Sequence, residues 1–159
     1  MNNTDGKKYY LGIDPGRKGG LALIDEHRNL ILAEPMPLLG KGYDYNQLQC
    51  MIERLPENSV IIIELKPGVM EKSASPTTSF GFHCGVIYGI CLKYRPIIIS
   101  PNSWKAEYDL KRDYQETRSN MKLRSVKTAE QIFGIRIKTT EDGIAEALLI
   151  AEYGRRNKL

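Results

Sequence analysis

The sequence is poor in the residues that build metal clips and disulfide scaffolds. It holds three cysteines (Cys50, Cys84 and Cys91) and two histidines (His27 and His83) in 159 residues. The cysteines form an odd set without the paired spacing of a zinc site, so they read as small apolar residues in a reducing compartment. Each histidine stands alone and is expected to be structural or solvated rather than catalytic. Charge of one sign is not in great excess. The formal net charge is +4 with 26% of residues charged, which argues against wholesale disorder and is compatible with a polyanionic partner without demanding one. No apolar run is long enough to span a bilayer, and residues 1–6 lack the apolar core of a signal peptide. The expectation is a soluble, intracellular, cytoplasmic protein without a membrane partner.

What is present suits one globular domain over residues 1–159, with 42% hydrophobic residues to fill a core. Strand signals come first, at 8–14, 20–25 and 29–34, separated by turn residues Pro15–Gly19 and Asp25–Asn29. Strands so closely spaced meander antiparallel, because a parallel return needs a crossover of a dozen or more residues. Residues 43–55 carry a helical pattern with Leu48, Met51, Ile52 and Leu55 on one face. Ser59–Glu64 is a continuous apolar run ending in a carboxylate, the pattern of a strand buried on both faces. Residues 66–79 read as a loop, and a helix is expected from about Thr78 to Tyr94. Its Gly81, Gly85 and Gly89 fall on one face, where a sheet or a second subunit would come close. A buried strand at 96–100 follows, then a short helix capped by Ser100 or Asn102. Further helices are expected over Leu123–Phe133, stopping at Gly134, and from Thr140 towards Tyr153.

The chain is organised around Asp14, at the end of the first strand in the run Gly12-Ile13-Asp14-Pro15-Gly16. A carboxylate in apolar surroundings is costly unless something positive sits against it. The element order, three meandering strands followed by alternating helices and parallel-type strands, is that of an α/β ribonuclease H-like domain, a central five-stranded mixed sheet flanked by helices. In that topology Asp14 and Glu64 end neighbouring strands. Asp142 and Glu146 lie four apart on one face of the last helix. Four oxygen ligands of this kind suit a hard cation, Mg2+ or Mn2+. With two ions about 3.5–4 Å apart they would support phosphodiester hydrolysis, one activating water and the other stabilising the leaving 3′ oxygen. Each acid alone has a bland reading as turn former, dipole partner or solvated side chain.

Gly12–Gly16, Ile63-Glu64, Ser79–Phe82 with Gly85 and Gly89, Ser100–Lys105, Lys122 with Lys127–Phe133, and Asp142–Ala151 together resemble the RuvC-type Holliday-junction resolvases, especially their phage and organellar relatives. The resemblance covers nearly the whole chain in order. It implies a Mg2+-dependent homodimeric endonuclease of DNA recombination and repair, with two ions per active site and Mn2+ as a substitute. Such an enzyme makes paired nicks across four-way or branched DNA, leaves 5′-phosphate and 3′-hydroxyl ends, and needs no small-molecule cofactor. Asp14, Glu64, Asp142 and Glu146 match the family's metal-binding acids, and Lys105 and Lys122 its basic positions near the DNA backbone. Bacterial members space the last two acids three apart rather than four, and Glu141 adds a third acid nearby.

A basic region fits such a substrate. Lys105, Lys111, Arg112, Arg118, Lys122 and Arg124 would neutralise phosphates, although a solvated helix face is the blander reading of any one of them. Phe80, Phe82 and Tyr88 are either wedges between unstacked bases or core and dimer contacts. Three rivals are weighed. An actin-like or sugar-kinase-like ATPase needs two lobes, and this length provides one. A catalytically inactive junction-binding protein would have lost its acids. A ribonuclease H-type nuclease on hybrids would differ only in substrate.

Overall fold

The computed structural model describes residues 6–65, 75–111, 113 and 115–159. Most of the loop expected at 66–79, and Arg112, lie outside the described residues. The strands are β1 (Tyr9–Asp14), β2 (Gly20–Asp25), β3 (Leu30–Pro35), β4 (Leu38–Leu39), β5 (Gly42–Tyr43), β6 (Ser59–Glu64) and β7 (Ile97–Ile99). The helices are α1 (Tyr45–Glu53), α2 (Ser75–Cys91), α3 (Pro101–Glu107), α4 (Arg118–Phe133) and α5 (Asp142–Arg156), with a 3-10 turn at Leu92–Tyr94 after α2. Among these residues no helix is long and apolar enough to cross a membrane.

Five strands form one mixed sheet in the order β3-β2-β1-β6-β7. The short turns between β1, β2 and β3 make those pairings antiparallel. Strands β1 and β6 run parallel, and so do β6 and β7, because a helix carries the chain back each time. Strand β1 therefore sits in the middle of the sheet, and its alternation divides the core into two layers. Tyr10 points to the face covered by α5, where it joins Ala22, Ile24, Ile62, Trp104, Ala147 and Leu148. Leu11 and Ile13 point to the opposite face, packed with Leu48, Ile52, Ile61, Ile63 and Ile87 under α1 and α2.

Helix α5 lies unusually near the sheet. A Cβ on Gly12 would run into the Ala147 carbonyl and the Ala151 amide, and one on Gly143 would run into the Lys18 carbonyl. Glycine at both positions lets the first turn of α5 rest directly on the β1–β2 turn, where Gly19 and Gly143 form an isolated bridge. That contact carries Asp142 and Glu146 to the sheet end occupied by Asp14.

Three expectations are corrected. Within the chain the close-approach glycines are these, not Gly85 or Gly89 of α2, where a Cβ would meet nothing within 4 Å, so the sheet is not the neighbour of those two. Strand β7 is half-exposed rather than buried, with Ile98 at 42% exposure, because it is the edge of the sheet. Helix α4 begins five residues earlier than its apolar pattern, at Arg118, where Thr117 caps the Asn120 amide. Cys84 and Cys91 are buried as expected of small apolar residues, whereas Cys50 is exposed.

Candidate active site

The carboxyl ends of β1 and β6 and the start of α5 meet at one cleft of about 790 Å³. Its walls hold Asp14, Glu64, Asp142 and Glu146 together with Lys105, Arg118 and Lys122. All four acids and three of the six basic residues read as phosphate contacts are thus brought together. Of the other three, Lys111 is exposed and does not line this cleft, Arg124 pairs with Glu116, and Arg112 lies outside the described residues.

Each acid has a distinct setting. Asp14 is partly buried, and one of its oxygens accepts a hydrogen bond from the Gly16 amide at 3.2 Å. Burial pushes its carboxyl up to about 7, and the neighbouring Glu146 and Glu64 carboxylates push the same way. Lys105 and the Gly16 amide oppose the rise without cancelling it. Glu64 is buried and accepts the indole N–H of Trp104 at 2.6 Å. Asp142 is paired with Lys122 at 2.6 Å, and Glu146 with Lys105 at 3.2 Å. Ser125 on α4 reaches the same Glu146 oxygen at 3.3 Å.

The turn after Asp14 is braced from the far side of the sheet. Tyr43 donates its hydroxyl to the Pro15 carbonyl at 3.2 Å, and its ring packs on His83, which in turn is hydrogen-bonded to Tyr45. His83 is therefore structural, as expected; burial and the nearby Arg17 hold it below the usual histidine range. The buried Cys84 thiol is pushed up to about 12, by burial first and by Asp14 second, so it stays protonated and inert.

Other candidates sort by location. Glu141 turns away from the acids into a neighbouring groove, where it pairs with Lys138 at 3.6 Å. Arg124 is committed to Glu116 at 2.7 Å and to the Asp109 carbonyl, so it braces the approach to α4. Phe80 lines the acidic cleft, while Phe82 and Tyr88 stand exposed on α2. Trp104, Ser125 and Gly143 were not assigned to the site from sequence. For Trp104 a signal existed: a buried indole N–H needs an acceptor. For Gly143 the neighbouring Asp142 was the only hint.

The donor set fits a hard divalent cation in its chemistry. Every acid supplies oxygen, and Asp14 is raised first by its burial and then by the neighbouring Glu146 and Glu64 carboxylates, a setting that a cation would relieve. As placed, no three such groups among the described residues stand close enough to enclose an ion, and Lys105 and Lys122 are paired with two of the acids.

The sheet order and the flanking helices define a ribonuclease H-like α/β fold, with Asp14 at the end of the central strand. The particular likeness is to RuvC. Thermus thermophilus RuvC superposes with a TM-score of 0.56, and the same protein in complex with a Holliday junction substrate with 0.54. Identity is 16% in both, over 94% of this chain and 96% of the RuvC chain. No family model matches the sequence, and no curated protein matches it either. The likeness is one of fold.

Proposed function

We propose that this protein is a divalent-metal-dependent endonuclease that resolves four-way DNA junctions by paired phosphodiester hydrolysis. The observation that carries the reading is a single cleft walled by Asp14, Glu64, Asp142 and Glu146 and rimmed by Lys105, Arg118 and Lys122. Acids alone would repel a DNA phosphate. Acids that gather cations, with basic side chains beside them, hold one. The likeness in fold to a RuvC bound to a Holliday junction supports the choice of substrate.

Asp14, Glu64, Asp142 and Glu146 would hold two Mg2+ ions, or Mn2+ in their place. When bound, the ions supply Lewis acidity for activating water and stabilising the leaving oxygen. The chain's own part is to gather and orient. Asp14 stands between the acids of β6 and α5, where a bound cation would return its carboxyl to the ionised form at neutral pH. Lys122 and Lys105 are long enough to leave their carboxylates for the phosphate as cations arrive, while Arg118 at the rim meets the strand backbone. Paired nicks need two such clefts. A homodimer would supply them, and the exposed face of α2, with Phe82, Gly85, Tyr88 and Gly89, is the surface we assign to it. We also take the chain to be one domain working in the cytoplasm or its equivalent.

The test is a labelled four-way junction incubated with Mg2+ and wild-type protein beside Asp14→Asn. Symmetric nicks with 5′-phosphate ends from wild type alone support the reading. Junction binding without cleavage by wild type would replace it with the catalytically silent binder, an outcome the two lysine-held acids make worth scoring. Faster cleavage of RNA–DNA hybrids than of junctions would move it to a ribonuclease H-type substrate.

A further inference from the structure

We propose that Trp104 is a positioning residue of the acidic centre: from one short helix its indole N–H holds Glu64 while its ring backs the lysine that holds Glu146. The proposal rests on the metal-site reading above and names a residue that this reading does not use.

The chain has one tryptophan, and it is fully buried with 0% exposure. A side chain that only fills core needs no acceptor, and phenylalanine would serve. This one gives its N–H to a carboxylate at 2.6 Å, a short charge-assisted hydrogen bond. Glu64 ends β6 and Trp104 sits on α3, so the bond ties a helix to the sheet end where the acids gather. The neighbouring Lys105 has its Nζ 4.9 Å from the indole ring centroid and 3.2 Å from Glu146. Residues 104 and 105 thus reach acids on two different elements, β6 and α5.

The indole is itself held in place. Ser100 caps α3 by accepting the Ser103 amide, with Pro101 at the first helical position. Tyr108 packs edge-on against the indole at 6.4 Å and donates its hydroxyl to the Leu149 carbonyl of α5 at 3.1 Å. The helix that carries the acids therefore also sets the angle of the tryptophan. Groups that hydrogen-bond metal-ligating carboxylates fix ligand orientation, and their loss costs roughly 10–100-fold in metal affinity.

Because the tryptophan is single, its indole N–H gives one side-chain cross-peak in a 15N-correlated NMR spectrum and its emission is the protein's tryptophan fluorescence. Mg2+ alone is the probe. In wild type the indole resonance and emission should shift saturably with Mg2+. In Glu64→Gln, where the amide oxygen still accepts the N–H, the Mg2+-driven shift should vanish. Calorimetry of Trp104→Phe should show Mg2+ binding weakened roughly 10–100-fold. The Mg2+ concentration giving half-maximal junction cleavage should rise by the same factor, with KM for the junction unchanged at saturating Mg2+. A purely structural tryptophan would lower the melting temperature and leave Mg2+ affinity alone, and that result overturns the proposal. So does an indole resonance that ignores saturating Mg2+, which decides the matter even if Trp104→Phe does not fold. Wild type that binds no Mg2+ at all sinks the metal-site reading and this inference together. Wild-type binding that Trp104→Phe leaves untouched removes only the inference.

Discussion

The two ends of α5 each bury acid, and they treat it in opposite ways. At the C-terminal end Glu152 is fully buried at 0% exposure, yet it accepts two hydrogen bonds from Arg155, at 2.6 and 2.8 Å, and one from Arg156 at 2.9 Å. Burial by itself would raise this carboxyl; the arginine hydrogen bonds outweigh it and hold Glu152 below the usual range. Arg155 also reaches the Glu26 carbonyl, so the cluster pins the helix to the β2–β3 hairpin. At the N-terminal end Asp142 and Glu146 share a cleft with Asp14 and Glu64, and Asp14 is driven up to about 7. One end satisfies its charge from within the helix. The other gathers like charge from three elements and borrows lysines to contain it. The carboxylate at one end is neutralised where it stands, whereas the proposed function has the acids at the other end take up a cation from outside.

The sharpest way to break this contrast is at Asp14. Asp14→Asn should reduce junction cleavage on the order of 10³-fold, the loss of several kcal/mol of charge stabilisation, in a single-turnover assay with saturating Mg2+. Glu152→Ala should do the reverse. It leaves two arginines without their buried partner and should cost about 3 kcal/mol, read as a fall in melting temperature of roughly 6–12 °C, with Mg2+ affinity of the folded protein unchanged. Gly143→Ala tests the contact that carries the acids. Its Cβ forces the first turn of α5 away from Lys18, so it should lose about 1–3 kcal/mol of stability and weaken Mg2+ binding as well.

A smaller effect is one of pH. Asp14 has a folded pKa raised from 3.8 to about 7, so below pH 3.8 it is neutral in both states and contributes nothing. Between these values the unfolded carboxyl ionises first and stability drains away; above pH 7 the cost is constant. Without metal, Asp14→Asn should therefore melt several degrees higher than wild type at pH 8, with the gap closing towards pH 4. Equal melting at both pH values would show that the cleft does not disfavour the charge. The smallest expected change is at Lys122, which has 39% side-chain exposure. Lys122→Met should lower junction affinity a few-fold and flatten the salt dependence of binding by about 0.9 in log–log slope.

The acidic end of this contrast was legible in the chain, whereas the pairing of Glu152 with Arg155 and Arg156 was not, and the limits are physical. The bounds of β1, β2 and β6 follow from apolar runs ended by Pro15, by the Asp25 turn and by a loop, so sequence and structure agree there within a residue. Asp142 and Glu146 share a helical face by spacing alone. The glycines of α2 do not meet the sheet, because a regular repeat on one helix is a local pattern, whereas close approach depends on what lies opposite. Gly12 and Gly143 have no repeat, and only the packed pair exposes their role. Lys122 and Arg124, two residues apart on α4, look alike in sequence. One faces Asp142 in the cleft, while the other is spent on Glu116.

By itself the sequence determined the order of the helices and of the five strands of the main sheet, though not the small β4–β5 pair, and it determined the set of acids placed at element ends. Those are properties of neighbours a few residues apart, where spacing and backbone geometry are enough. Tertiary structure alone decided that Trp104 meets Glu64 across 40 residues, that Lys105 meets Glu146 across 41, and that Glu141 turns into the next groove while Asp142 does not. It also decided the state of Asp14, because a carboxyl's charge is set by burial and by every other charge within reach. Those neighbours assemble only when the sheet and α5 close upon one another.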